Sequence, residues 1–157
     1  MFRDITTLLK HPEAFRCSVD TLHNHHAASS FDKIVGIESR GFILGATLAY
    51  LTNVGFVPAR KPGRLPSIVV REDYQLEYGS DSIEIHADAI NRGERILLHD
   101  DLLATGGTAK AACSLIERMG GVIVGCSFLV ELSFLQGRKK LDGREVFSVI
   151  QYTSEEP

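Results

Sequence analysis

Apolar residues occur along the chain in two kinds of segment, which alternate with each other. Short β-branched or aliphatic runs predict strands over residues 34–37, 55–60, 96–98, 122–130 and 146–150. Apolar positions at helical spacing predict helices over residues 2–26, 42–51 and 108–119. Strands that alternate with helices indicate an α/β fold, with a mainly parallel, doubly wound twisted sheet and helices on both faces.

Residues 61–82 interrupt this alternation. The segment mixes prolines and glycines with charged residues and tyrosines, and it shows no sustained periodicity. We therefore predict a long irregular loop, and long loops in compact domains are commonly functional. The isoleucines that follow, Ile83 and Ile85, alternate with polar neighbours and predict an edge strand.

Length, charge and cysteine content narrow the class of protein. A chain of 157 residues fits one domain, and a formal net charge of −3 provides no general attraction for nucleic acid. The longest nearly apolar run, residues 122–130, is too short to span a membrane. The beginning of the chain has no apolar signal-peptide core and carries Asp4. Three scattered cysteines fit neither a disulfide framework nor a zinc site, so we predict a cytoplasmic protein.

The strongest chemical signal lies at the end of the third predicted strand. Asp100 and Asp101 follow the buried run directly, and the small residues of the segment 104–108 then open a helix. Small residues at a helix start present backbone N–H groups to a phosphate, whereas paired carboxylates repel a phosphate and suit sugar hydroxyls. The junction therefore predicts a ribose 5-phosphate site, and the alternative is a solvated turn. Neither a Walker A loop nor a dinucleotide-binding fingerprint is present.

Two other predicted strands end in polar turns at the same edge of the sheet. Residues 38–41 form one turn, and the second strand runs into a cationic strip of Arg60, Lys61 and Arg64. Because ligands of such sheets bind beyond the carboxyl ends of the strands, we expect these turns to converge. The cationic strip suits an anionic leaving group such as pyrophosphate. A solvated basic loop is the alternative interpretation.

The histidines indicate structure rather than metal chemistry. His23, His25 and His26 lie near a predicted helix end without a cysteine or acidic set beside them, and we expect them to satisfy helix carbonyls. His99 occupies a predicted core strand and is interpreted as a packing residue.

Residues 96–108 resemble the phosphoribosyl pyrophosphate (PRPP) motif of type I phosphoribosyltransferases, in the form typical of the adenine phosphoribosyltransferases. Further segments that are similar to this family, in family order, are residues 2–6, 37–42, 56–66, 76–79, 130–132 and 147–152. The family pattern before residue 2 includes about one more helix, so the resemblance implies a shortened hood over the base. It also implies one phosphoribosyltransferase domain over residues 1–157, with a hood remnant at 1–30 and a mobile catalytic loop at 61–82.

The resemblance assigns roles to individual residues. Asp100 and Asp101 would contact the ribose hydroxyls, and Leu102 and Arg3 would lie at the adenine. The pyrophosphate would meet Ser39 and Arg40, after a cis peptide bond between Glu38 and Ser39. Glu77 and Tyr78 would be catalytic residues on the mobile lid. The 5-phosphate would be held by the small-residue loop, which comprises Ala104, Thr105, Gly106, Gly107 and Thr108.

By the same resemblance, the expected reaction is the purine-salvage conversion of adenine and PRPP into AMP and pyrophosphate. Mg²⁺ is expected as the cofactor, bound to PRPP without direct protein ligands, and the expected assembly is a homodimer with no nucleic-acid or membrane partner. Three alternatives remain open. They are transfer to another purine base, a non-catalytic regulator that senses PRPP or a nucleotide, and a degenerate interaction subunit.

Overall fold

A computed structural model describes residues 4–76 and 79–155 of the chain. Five parallel strands form the central sheet in the order β2-β1-β5-β6-β7. Their bounds are β1 (Lys33–Ile37), β2 (Gly55–Ala59), β5 (Arg95–Leu103), β6 (Val122–Leu132) and β7 (Val146–Tyr152). The chain adds β2 on one side of β1 and then crosses back to add β5, β6 and β7 on the other side. This arrangement confirms the predicted α/β class.

Helices cover both faces of this sheet. On one face lie α1 (Thr6–Leu9), α2 (Pro12–His26) and α3 (Gly41–Thr52). Buried residues of α2 and α3, and partly buried leucines of α1, pack with Ile34 and Leu97. On the other face lies α4 (Gly107–Arg118), which packs with Val35 and Leu98. Successive strand residues thus point to opposite layers, as the pleat requires.

The prediction of one continuous N-terminal helix over residues 2–26 was wrong, because this segment contains two helices. The described part begins at Asp4, and the segment divides into α1 and α2 with a break at Lys10 and His11. Proline causes the break, because Pro12 restricts the preceding residue to extended conformations and His11 has φ −99° and ψ 111°. Pro12 then occupies the first turn of α2, where its fixed φ suits the helix.

The prediction of an irregular loop over residues 61–82 was wrong for its second half. Antiparallel pairing joins β3 (Val69–Gln75) and β4 (Ser80–His86) into a separate two-stranded sheet. The sequence of β3 shows no apolar run, because from Val70 onward only every second side chain of this strand is partly buried and the others are polar or charged. Ile83 and Ile85 belong to β4 and are fully covered, so they belong to this hairpin rather than to an edge of the main sheet.

Two further differences affect the site. Strand β5 continues through Asp100 and Asp101 to Leu103, because residues 100–103 keep pairing with β6. The connection between β6 and β7 contains two 3₁₀ helices, Ser133–Leu135 and Gly137–Leu141, which the sequence did not predict. Within the described residues, none of the helices combines the length and apolar character needed to cross a membrane.

Candidate active site

A cavity of about 400 Å³ opens at the carboxyl ends of β1, β2 and β5. The three polar turns that the sequence placed at this edge do converge there. The hairpin β3–β4 contributes a further wall through Tyr74, Ser82 and Ile83. The other residues that line this cavity are Ile37, Glu38, Ser39, Arg40, Ala59, Arg60, Lys61, Asp100, Asp101, Leu102 and Thr108.

A second, smaller cavity of about 90 Å³ adjoins the first at the start of α4. Asp100, Leu102 and Thr108 line both cavities, and the other lining residues are Leu103, Ala104, Thr105, Gly106, Gly107 and Ala109. Gly106 precedes α4 with φ 78°, a left-handed conformation that glycine adopts without steric cost. No side chain caps α4, so its first backbone N–H groups are left for a bound anion.

The two carboxylates occupy different environments. Asp101 is 5% exposed, and the Nε of Arg40 donates a hydrogen bond of 2.6 Å to its Oδ2. Asp100 accepts a 2.8 Å hydrogen bond from the backbone N–H of Asp101. Burial, together with the negative charge of Asp101, raises the pKa of Asp100 well above its ordinary value. The pair therefore presents two carboxyl groups in unlike electrostatic environments at the end of β5.

Gly41 allows α3 to begin against this carboxylate pair. A Cβ at Gly41 would lie 2.8 Å from Oδ1 of Asp100 and 3.1 Å from its Cα. The close approach brings the start of α3, and with it Ser39 and Arg40, to the end of β5. The peptide bond between Glu38 and Ser39 is cis, as predicted.

Each cationic side chain on the opposite wall has an acidic partner. The Nε of Arg60 donates to Oε2 of Glu38 at 2.6 Å, and Lys61 pairs with Asp81 of β4. Burial alone would lower the pKa of Lys61, but its hydrogen bonds to Asp81 and Tyr74 outweigh burial and raise it. Lys61 is therefore a cation over the whole physiological range, although an incoming anion must compete with Asp81 for it.

Tyr74 is a site residue that the sequence analysis missed. Its hydroxyl accepts hydrogen bonds from Nζ of Lys61 and Oγ1 of Thr108, both at 3.2 Å, and donates one of 3.3 Å to Asp81. It thereby joins the hairpin to the cationic wall and to the start of α4. The alternation of Val70, Glu72 and Tyr74 on one face of β3 was the available signal, but it was obscured by the charged residues between them.

Several predicted site residues lie elsewhere or beyond the described part. Arg64 is exposed and lines neither cavity, and only its backbone carbonyl contacts the site, by accepting a 3.2 Å hydrogen bond from Arg60. The predicted base-side residue Arg3 and the predicted catalytic residues Glu77 and Tyr78 fall outside the described residues. Over residues 4–76 and 79–155, no cluster of three or more histidine, cysteine or acidic side chains could hold a metal ion.

The histidines of α2 differ from the prediction that they satisfy helix carbonyls. The ring of His25 stacks on Phe147 with centroids 3.6 Å apart, and its Nε2 lies 3.0 Å from Oε1 of Glu145. His26 is 4% exposed. His25 and His26 are therefore placed by aromatic packing against Phe147 of β7, and His25 also by its contact with Glu145, rather than by helix capping.

Comparisons with known proteins agree with this geometry. A family model described as phosphoribosyl transferase domain matches residues 4–155. The adenine phosphoribosyltransferase of Desulfitobacterium hafniense is 58% identical over 151 residues, which are 96% of this chain and 87% of that protein. The crystal structure of adenine phosphoribosyltransferase from Thermoanaerobacter pseudethanolicus superposes with a TM-score of 0.94 at 50% identity, covering 96% of this chain and 88% of that chain.

A third relative has been solved with bound ligands. The adenine phosphoribosyltransferase of Saccharomyces cerevisiae, complexed with D-2,5-dideoxy-2,5-imino-altritol 1,6-bisphosphate and adenine, has a TM-score of 0.87 and 41% identity. The match covers 94% of this chain and 86% of that chain. Taken with the paired carboxylates, the uncapped start of α4 and the cationic wall, these likenesses establish that the chain belongs to the adenine phosphoribosyltransferases of the phosphoribosyltransferase family.

Proposed function

We propose that this chain converts adenine and PRPP into AMP and pyrophosphate in purine salvage. The observation that carries the proposal is the order of chemical groups along the joined cavities. Amides at the start of α4 fit a monophosphate, Asp100 and Asp101 fit a sugar diol, and the wall of Arg40, Arg60 and Lys61 fits a pyrophosphate. PRPP carries these three groups in this order.

The chemistry follows from that placement. N9 of adenine attacks C1′ of the ribose, the bond from C1′ to the pyrophosphate oxygen breaks, and the electron pair leaves with the pyrophosphate. Negative charge therefore grows on the leaving group, where Arg40 and Lys61 stabilise it. Since the transition state is loose, most of the rate acceleration comes from holding the two substrates in line.

The two carboxylates would orient the ribose. Asp101, fixed by Arg40, accepts hydrogen bonds from the ribose hydroxyls, and Asp100 lies beside it at the same end of β5. Leu102 lies beside them and lines both cavities, and we propose that its apolar side chain contacts the base.

We assign Mg²⁺ to the substrate rather than to a protein cage. Asp100 and Asp101 are the acidic pair nearest the proposed ribose position, and Asp101 is already paired with Arg40. Because this pairing occupies a carboxylate that could otherwise bind the metal, Mg²⁺ would be held mainly by ribose hydroxyls, pyrophosphate oxygens and water. When bound, the ion neutralises charge on the pyrophosphate.

The hairpin β3–β4 would act as the lid of the site, in place of the irregular loop first predicted. The segment between its strands carries Glu77 and Tyr78, which we propose as the catalytic pair near the base. Closure of such a lid excludes water from the reacting C1′ carbon, which would otherwise hydrolyse. Arg3 is proposed at the adenine end of the site.

We also propose that the chain forms a homodimer through α3. Ile43, Tyr50 and Leu51 of this helix are 41%, 86% and 47% exposed, and the helix carries no charged residue. A second copy of the chain would cover this apolar stripe, which water otherwise contacts.

The three cysteines of the described residues are free thiols, in keeping with a cytoplasmic location.

The test is product formation by the purified chain. The protein is incubated with PRPP, Mg²⁺ and each of adenine, hypoxanthine, guanine and xanthine in turn, and nucleotides are separated by chromatography. AMP from adenine alone supports the proposal. Nucleotide from a 6-oxo purine but not from adenine identifies a different purine transferase, and PRPP binding without any turnover identifies a regulator or an interaction subunit.

A further inference from the structure

The loop that precedes α4 is supported on one side by a segment that no sequence motif marked. Gly137, the first residue of the 3₁₀ helix Gly137–Leu141, packs its backbone against residues 104–106. A Cβ at Gly137 would lie 2.1 Å from the carbonyl oxygen of Ala104 and 2.9 Å from the backbone nitrogen of Gly106. A Cβ at Gly106 would in turn lie 2.4 Å from the carbonyl oxygen of Gly137. The two glycines therefore meet backbone to backbone.

This contact lies away from the cavity that would receive the phosphate. Residues 102–109 line that cavity together with Asp100, and Gly137 does not contribute to its wall. Any side chain at position 137 would force the loop and the 3₁₀ helix apart, because neither the Ala104 carbonyl nor the Gly106 nitrogen is a flexible side-chain end. The position of the 3₁₀ helix therefore determines where the N–H groups at the start of α4 point.

The 3₁₀ helix is itself held by a buried carboxylate. Glu131 of β6 is 3% exposed and accepts two hydrogen bonds from Arg138, at 3.0 Å from Nε and 2.5 Å from NH2. Oγ of Ser148 donates a third at 2.6 Å, and Arg138 also donates to the carbonyl of Val146. Burial alone would raise the pKa of Glu131, but the bonds from Arg138 and Ser148 outweigh it and lower the pKa. A charged, two-pronged pair of this kind fixes orientation as well as distance.

We propose that Gly137, held in place by the Glu131–Arg138 pair, is a positioning residue that aligns the loop 104–108 on the 5-phosphate of the sugar substrate. The inference rests on the proposed function, since that function supplies the ligand of the loop. By this proposal, the connection between β6 and β7 controls the affinity of the loop for the monophosphate although it contacts neither substrate.

Gly137→Ala is the direct test, because Gly137 is not among the residues with positive φ and alanine is excluded there only by the contact. Gly143→Ala is the matched control. Gly143 lies just beyond the same helix with φ 70°, and a Cβ at this position would have no atom within 4 Å. Alanine there therefore strains the backbone without touching the loop.

Dissociation constants for ribose 5-phosphate and for pyrophosphate are measured by calorimetry on the full chain, with Mg²⁺ present. Michaelis constants are measured for PRPP and adenine. We expect Gly137→Ala to weaken ribose 5-phosphate binding and raise the KM for PRPP by about tenfold, because misaligned amides lose much of their interaction with the anion. Pyrophosphate affinity and the KM for adenine should change by less than about twofold. Gly143→Ala should lower the melting temperature and keep all four constants.

Two results overturn the proposal: unchanged ribose 5-phosphate affinity in Gly137→Ala, or an equal loss of affinity for both anions, which indicates general loosening. Should Gly137→Ala fail to fold, Arg138→Lys replaces it, with about a threefold loss expected for ribose 5-phosphate alone. An effect of Arg138→Lys on both anions, or on neither, also overturns the proposal. Failure of the parent chain to bind ribose 5-phosphate overturns this inference, whereas failure to form AMP overturns only the proposed function.

Discussion

Asp101 links the two halves of the cavity. It is buried next to the ribose position, and the guanidinium of Arg40 binds it from the side assigned to the pyrophosphate. A second acidic residue, Asp4, lies 3.8 Å from the same guanidinium. The geometry of the anion wall therefore depends on a carboxylate assigned to the sugar.

The variant Asp101→Asn tests this dependence. We expect the KM for PRPP to rise at least about tenfold, because a charge-assisted hydrogen bond contributes roughly 1.5–3 kcal/mol and its loss also releases Arg40. The KM for adenine should change much less. Steady-state kinetics with each substrate varied provide the measurement. Asp20→Asn, at an exposed position of α2, is the charge-matched control, and equal KM values for PRPP in both variants would contradict the assignment.

Two buried histidines make stability depend on pH. Burial, with the neighbouring His25, lowers the pKa of His26 to about 4, and burial, with the neighbouring His26, lowers that of His99 to about 3. Both values lie below the 6.5 of an exposed imidazole. The unfolded chain therefore binds more protons than the folded chain below that pH. Stability contributed by the neutral rings is present above pH 6.5 and is lost as the pH falls.

Each histidine should accordingly contribute a loss of about 2 kcal/mol to the free energy of unfolding between pH 7 and pH 5, while the raised pKa of Asp100 acts in the opposite direction. The variant His99→Leu removes one titrating group, so its free energy of unfolding should fall by about 2 kcal/mol less than the parent's. Urea denaturation at pH 7, 6 and 5 measures both slopes. A His99→Leu protein with the parent's pH dependence would show that His99 is protonated in the folded state.

At the scale of elements, the hydroxyl of Tyr74 is one of the contacts between the β3–β4 hairpin and α4, beside the ion pair of Glu72 with Arg118. Tyr74 contacts Thr108 at the start of α4 and Lys61 on the opposite wall. The side chain of Lys61 also lies 5.7 Å from the centre of the Tyr74 ring. The hairpin is therefore connected to both proposed anion positions, which a lid over the site requires.

Replacing Tyr74 with phenylalanine keeps the ring and removes these hydrogen bonds. We expect Tyr74→Phe to raise the KM for PRPP about three- to tenfold, since each lost bond is worth roughly 1 kcal/mol. Tyr50→Phe, which deletes an exposed hydroxyl on α3, is the matched control and should behave as the parent. If both variants have the parent's KM for PRPP, the hydroxyl of Tyr74 does not connect the lid to the site.

At the scale of the whole molecule, α3 faces the site with one end and solvent with its apolar stripe. We expect the parent chain to sediment as a dimer and Tyr50→Glu to shift it toward the monomer, because an interface charge without a partner is costly to bury. Ile68→Glu, at a residue that is 79% exposed outside α3, is the control and should leave the dimer intact. Analytical ultracentrifugation over a range of concentrations distinguishes these outcomes. A monomeric parent, or equal effects of both substitutions, would contradict assembly through α3.

The sequence predicted those features of the molecule that are determined by residues close together along the chain. The order of strands and helices in the main sheet follows from apolar periodicity, and the start of α4 follows from small residues after two acids. The hairpin was missed because its apolar face emerges only when β3 and β4 pair. The break at Pro12 was missed because apolar spacing continued across it.

Sequence alone thus determined the fold class, the family resemblance and the chemical character of the ligand, since each is encoded in residues a few positions apart. Only the tertiary structure decided which charges meet. Glu38 holds Arg60, Asp81 holds Lys61, and Gly137 supports the loop before α4 from a distant part of the chain. Such contacts join segments that local periodicity treats independently, because packing of the whole chain brings their backbones together.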